Sequence, residues 1–252
     1  MNSATVRNLL VRGMLAGLTA GVLALLVAYF LGEPSVDNAI GFEEAHASGH
    51  EHEVELVSRH LQSTAGLATG VLLYGVAFGG IAALAYCFAL GRVGRFSARA
   101  TALLLSGCAL LTVYVVPFLK YPANPPSVGD PDTIGKRTTL YFLMMLLSVL
   151  LAIAAVLVGK RLAPALGNWY ATVVAIAAFV VAIGLAYAFL PVINEVPGDF
   201  PAALLWRFRV SALAIQLTLW GGFGLVFGEL AQRYLAPRSA PSAAGRAVPA
   251  AN

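Results

Sequence analysis

Residues 14–31 read MLAGLTAGVLALLVAYFL, eighteen positions without a single charged side chain. A bilayer core of ~30 Å needs about 20 apolar residues of helix, so a stretch of this kind predicts a membrane span. Five more follow, at about residues 67–90, 100–119, 140–158, 169–190 and 210–227. All are rich in Leu, Val and Ala, and none carries a charge in its middle. Lipid offers backbone amides no hydrogen-bond partner, so these segments are expected to be helices and not isolated strands. The composition agrees. Of 252 residues 59% are hydrophobic and only 11% charged, against roughly 25% charged in soluble domains. The expected fold is all-α, a polytopic bundle of six transmembrane helices.

The basic residues give the orientation. Arg7, Arg12, Arg92, Arg95, Arg99, Lys160, Arg161, Arg233, Arg238 and Arg246 fall in one set of loops and termini, beside a single acid, Glu229. The other set holds the remaining acids and only Arg59, Lys120, Lys136, Arg137, Arg207 and Arg209. The positive-inside rule therefore places both termini in the cytoplasm and turns three loops outward, at about 32–66, 120–139 and 191–209. The net charge of +4 is a topology signal and not a nucleic-acid footprint, because the positives cluster at the ends of apolar runs. A cleaved signal peptide fits the N-terminus less well than an uncleaved first span, since the nearest small-x-small site, Ala45-His46-Ala47, lies far beyond the run. The membrane domain is expected over 1–235, and the Pro-, Ser- and Ala-rich residues 236–252 form an expected disordered cytoplasmic tail. Cys87 and Cys108 lie inside apolar runs and read as small hydrophobes.

Small residues at four-residue spacing let helices approach closely in lipid. Gly13, Gly17 and Gly21 have it on the first span, Gly66 with Gly70 and Gly75 with Gly79 on the second, and Gly224 with Gly228 on the sixth. They predict ordinary close packing, or a tighter unit of the first, second and sixth helices around a path that Gln216 and Thr218 would line. A loose repeat also runs through the chain. Odd spans end in an aromatic followed by proline, and even spans are entered behind Arg59, Arg137 and Arg207.

The first outer loop concentrates the chemistry. It contains all four histidines, His46, His50, His52 and His60, within fifteen positions, together with Glu43, Glu44, Glu51, Glu53 and Glu55. Imidazole mixed with carboxylate suits borderline divalent ions such as cobalt, nickel, zinc and copper. His46 and His50 stand one helical turn apart, while His50 and His52 would share a strand face. Gly49 and the high charge point to a mobile, low-affinity collector and not to a rigid structural zinc site. His50-Glu51-His52-Glu53 is not a metalloprotease helix, because the second histidine would have to stand where Val54 is. A phosphate-binding G-x-x-x-x-G-K-[ST] loop is absent from the sequence. Five prolines stiffen the second outer loop and its approach. In the third, Glu195, Asp199 and Asn194 form a possible second ion point or part of a path, although ion pairing of Lys120 with Glu195 or Asp199 is the expected structural role.

These features, in this order, resemble the CbtA family of predicted cobalt transporter subunits. The resemblance lies in the HASGHEHE loop, RHLQSTAGL leading into YGVAFGG, PFLKYPANPP, INEVPGDFP and the following WRFR. It spans about residues 5–235. It implies cobalt uptake in bacteria that make cobalamin, and a small single-span partner subunit with its own histidines. The spans offer mainly Gln216, scattered Ser, Thr and Tyr, and Cys108, which is no polar catalytic set, so no enzymatic activity and no cofactor beyond the transported ion are expected at the bacterial inner membrane. The expected function is thus the membrane subunit of a divalent-metal uptake transporter, with Co2+ as cargo and Ni2+ or Zn2+ as chemical alternatives. His46, His50, His52, His60, Glu51 and Glu53 would capture the ion, and Glu195, Asp199 and Gln216 would be the possible second site or path. The rival from another class is a metal-binding sensor or accessory protein that moves no ion.

Overall fold

The structure, a computed structural model, describes residues 2–46, 57–126 and 128–236, and these form an all-α bundle. Among the described residues, five helices are long and apolar enough to cross a membrane: α1 Ser3–His46, α2 Arg59–Ala89, α3 Ala98–Lys120, α4 Ile134–Phe189 and α5 Ala202–Leu235. At 56 residues, α4 would be about 84 Å long if straight, far more than a bilayer core. It is broken at Gly167, whose φ of 76° and ψ of 160° leave the helical region; a residue without a Cβ takes that conformation readily. Gly159 then faces Ala171 and Ala175, and Met144 packs with Ile183. These contacts pair positions on opposite sides of the break, so the two arms run antiparallel. They contain the expected fourth and fifth apolar segments.

The α1–α2 contact is made by backbone. A Cβ on Gly17 would lie 2.1 Å from the Gly75 carbonyl oxygen, and one on Gly79 would lie 2.2 Å from that of Gly13. Such distances forbid any side chain and bring the two helices together through main-chain atoms, as small-residue repeats permit in lipid. A Cβ on Gly70 would meet nothing within 4 Å, and one on Gly66 only the Leu61 carbonyl of the same helix, so that pair takes no part. On its other side α1 meets α5, where Gly222 sits against Ala20. Gly224 and Gly228 face Ser106, Ala102 and Arg99 of α3. The first, second and last helices do pack together, but the glycine pair of the last one serves a different neighbour.

An aromatic column fills the space between α2 and α5. Phe78 meets Trp220 edge-on at 4.5 Å and Phe223 at 5.2 Å, and Tyr86 meets Phe227 at 4.9 Å. Gln216 accepts a hydrogen bond from the Trp220 indole at 3.2 Å, and the Thr218 hydroxyl donates to the Ala214 carbonyl at 2.8 Å. The Gln216 side-chain oxygen and the Thr218 hydroxyl thus both bond within α5 itself.

The basic segments gather at one end of the bundle. Glu229 binds Arg99 at 2.7 Å and Arg233 at 2.6 Å, Arg12 lies over the Tyr234 ring, and Lys160 donates to the Arg92 carbonyl. The acidic connections lie at the other end. We predict that Gly17→Ala lowers the thermal stability of the detergent-solubilised protein by an amount typical of overpacking, about 1–3 kcal/mol. Gly184→Ala, where nothing lies within 4 Å, should leave it unchanged or raise it. Equal unfolding temperatures for the two variants would contradict the backbone contact.

Candidate functional site at the acidic end

The first helix does not stop where its apolar stretch ends. It widens into a π-helical turn at Ala28–Gly32 and continues as α-helix to His46. Pro34 follows that turn closely, and the wider winding relieves the clash a proline ring makes with the carbonyl four residues earlier. The same pairing recurs in α3, with a π-helical turn at Leu110–Val115 ahead of Pro117. Two of the three aromatic–proline repeats therefore have a common construction. The first half of the expected mobile loop 32–66 is accordingly helical: a single proline at this position does not break a helix whose preceding turn can adapt.

Arg59, at the start of α2, reaches back onto this extension. Its Nε donates to Asp37 at 3.0 Å, and its other nitrogen binds Glu33. Glu33 and Asp37 are one turn apart, so a single guanidinium fork bridges both. Burial alone would lower the Arg59 pKa, but the hydrogen bonds it donates to Asp37 and Glu33, with their negative charge, outweigh it and hold the group above its ordinary value. This clamp fixes the two ends of the histidine segment. His50, His52, Glu51 and Glu53 lie between them, outside the described residues. His60 is exposed one residue beyond the clamp.

His46 closes the helical extension. Its ring stacks on Phe42 at 4.1 Å, and its Nδ1 lies 2.8 Å from the Phe42 carbonyl oxygen. Donation from Nδ1 to that carbonyl leaves a lone pair on Nε2, the arrangement by which second partners orient metal-binding imidazoles. Nε2 lies 3.8 Å from the Asp199 carboxylate, with both side chains more than half exposed at 54% and 63%. Beneath this pair, Phe42 meets Phe200 edge-on at 5.0 Å. Ala39, Val128 and Phe200 are buried together, with Val196, Leu204 and Leu205 packed around them. One small core thus joins all three acidic-end connections and carries His46 and Asp199 on its rim.

Glu195 has a different environment. Its side chain is only 2% exposed and binds Arg137 at 2.9 Å, while accepting hydrogen bonds from Thr133 at 2.6 Å and Asn124 at 3.5 Å. Arg137 also donates to the Pro122 carbonyl. Arg209 holds the Ala123 carbonyl at 3.3 Å and the Asn124 side-chain oxygen at 3.2 Å. Lys120 donates to the Tyr187 carbonyl at 2.7 Å, so the expected pairing of Lys120 with Glu195 or Asp199 is corrected. The guanidinium of Arg137 reaches a carboxylate and a carbonyl on two connections at once, which a point-charge ammonium does less well. Asn194 caps the Val196 amide. The structure brings Asp199 to His46 and commits Glu195 to binding Arg137. Among the described residues, no group of three or more His, Cys, Asp or Glu side chains is placed to hold a metal ion.

A family profile described as probable cobalt transporter subunit (CbtA) matches residues 6–232. The chain belongs to the CbtA family. No curated protein and no solved structure matches it significantly. As a CbtA member with several membrane-crossing helices, it is a multi-pass membrane protein and part of a transporter that has other subunits. The PFLKYPANPP and INEVPGDFP stretches that carry the resemblance supply Asn124, Pro122 and Glu195 to the buried cluster. Sequence reasoning missed the Arg59 clamp, although Glu33 and Asp37 at helical spacing were its signal. Removing one partner of a buried ion pair costs about 3–5 kcal/mol. Arg137→Gln should therefore destabilise the protein by roughly that amount in chemical unfolding. Lys136→Gln, on the exposed first turn of α4, should be near neutral, and similar effects for both would refute the role given to Arg137.

Proposed function

We propose that this CbtA-family chain is the membrane subunit of a cobalt uptake transporter and that its acidic end faces outward to capture the ion. In this reading the two arms of α4 cross separately, giving six crossings, and the basic end with both termini is cytoplasmic. The family description supports transport over catalysis, and the separation of basic and acidic ends supports the orientation. The observation that carries the capture role is the facing pair of His46 and Asp199, from the first and third acidic-end connections, 3.8 Å apart. A first-row divalent ion bonds imidazole nitrogen and carboxylate oxygen at about 2.0–2.2 Å, so an ion between Nε2 and Oδ2 would span this gap with little rearrangement.

His50, His52, Glu51 and Glu53 follow His46 in sequence and would raise the local ion concentration, with His60 at the far end of the segment. Asp199 would accept the ion from them at the rim of the cap that the three acidic-end connections form around Phe200. Imidazole and carboxylate suit Co2+, Ni2+ and Zn2+ alike; cobalt is favoured by the family. Glu195, held by Arg137, is a support of the cap in this reading and not a ligand. The chain carries no phosphate-binding loop, so the driving force comes from the ion gradient or from another subunit, which we take to be a small single-span protein with its own histidines.

The test is cobalt accumulation in cells whose chain has His46, His50, His52 and His60 changed to Ala. Uptake should fall several-fold at limiting cobalt and recover when cobalt is abundant, as expected for a captor that raises local concentration. Unchanged uptake at limiting cobalt would remove the capture role. Metal binding by the purified chain without any cobalt movement in cells would favour a sensor or accessory protein instead.

A further inference from the structure

Between the protruding end of α1 and the first turns of α5 lies a cavity of about 370 Å3. Phe30, Leu31 and Val210 give it apolar lining, and Trp206 and Arg207 line it as well. Val210 opens the apolar stretch of α5, so Trp206 and Arg207 stand where hydrocarbon gives way to headgroups, the depth at which amphipathic rings and basic side chains settle. The seam itself is held by the Ser211 hydroxyl, 2.8 Å from the Leu31 carbonyl oxygen within the π-helical turn.

Arg207 differs from the other cations built into this end. Arg59 binds Glu33 and Asp37, Arg137 binds Glu195, Arg209 binds Asn124 and Ala123, and Lys120 binds Tyr187. Among the described residues Arg207 has no carboxylate or carbonyl partner, and the Trp206 indole N–H has no acceptor. Lys136 is similarly unpaired but lines no such cavity. Two donors without acceptors, one of them charged, thus stand over an apolar floor at headgroup depth.

We propose that this cavity binds an anionic phospholipid, with its phosphodiester on Arg207 and the Trp206 indole and an acyl chain against Phe30, Leu31 and Val210. A charge-assisted bond from a guanidinium to phosphate is among the stronger hydrogen bonds available at a membrane surface. The net negative charge of the headgroup complements the unpaired cation. A zwitterionic lipid offers the same phosphate but brings an ammonium beside Arg207, which cancels the electrostatic gain. The site depends only on the chain being a membrane protein and not on which ion is transported.

The experiment is native mass spectrometry of the full chain in detergent with equal amounts of phosphatidylglycerol and phosphatidylcholine carrying the same acyl chains. The unaltered protein should retain phosphatidylglycerol several-fold over phosphatidylcholine. Arg207→Gln should bring the ratio close to one, whereas Arg207→Lys and Lys136→Gln should keep the preference. Preference retained by Arg207→Gln, or lost equally in Lys136→Gln, would overturn the site. Displacement of phosphatidylglycerol by glycerol phosphate, which has no acyl chain, would also overturn it and mark a site for free phosphate.

Discussion

The backbone contact between Gly13 and Gly17 of α1 and Gly75 and Gly79 of α2 is the constraint on which the remaining arrangement depends. In lipid, apolar side chains gain little by leaving one hydrocarbon for another, so helices associate through close packing and hydrogen bonds. Here the packing is close enough that at Gly17, Gly75 and Gly79 backbone meets backbone, with only the small Ala83 side chain against Gly13. It leaves the opposite side of α1 to α5, where Ala20 meets Gly222. With its inner length held on two sides, α1 can project beyond the apolar zone as a rigid arm, and the arm carries His46. At 44 residues the helix is about 66 Å long, more than twice what a crossing requires.

The acidic end then locks the arm. Arg59 ties it to the start of α2, and Phe42 and Ala39 seat it on Phe200 and Val128. The other two connections are fixed to one another through Glu195, Arg137, Asn124 and Arg209. Charges near a membrane surface are held at low cost when paired, and these pairs join segments far apart in sequence. The cap is therefore rigid where it is buried and open at its rim. That division matches the proposed capture role, which needs His46 and Asp199 exposed and the supporting charges already paired.

The bundle was legible in the sequence because apolar length and the absence of charge are local properties. The grouping of basic residues was legible for the same reason, and Arg12, Arg92, Arg99, Lys160 and Arg233 lie at one end as the loops predicted. What local pattern could not give was partnership. Gly75 and Gly224 have the same spacing to a second glycine, yet one faces α1 and the other α3, a choice set by how the helices are arranged around one another. Lys120 was the partner the sequence suggested for Glu195, yet the fold brings Arg137 to Glu195 and turns Lys120 to the Tyr187 carbonyl. The helical run to His46 was hidden by Pro34 and a high density of acids, both ordinary marks of a loop, and was restored by a π-helical turn ahead of the proline. The resemblance to CbtA, by contrast, rested on short stretches that keep their order, and the family profile covers them.

The central claim is that His46 and Asp199 act together on one ion. A double-mutant cycle on Co2+ affinity of the purified full chain tests it most directly, with His46→Ala, Asp199→Asn and the double variant titrated alongside the unaltered protein. If both side chains hold the same ion, each single change should weaken binding by roughly tenfold, the lower end of what disturbing a metal site costs. The double variant should then be little worse than either single one, because the interaction is already lost. Fully additive losses, or an Asp199→Asn variant that binds cobalt as the unaltered protein does, would contradict the account.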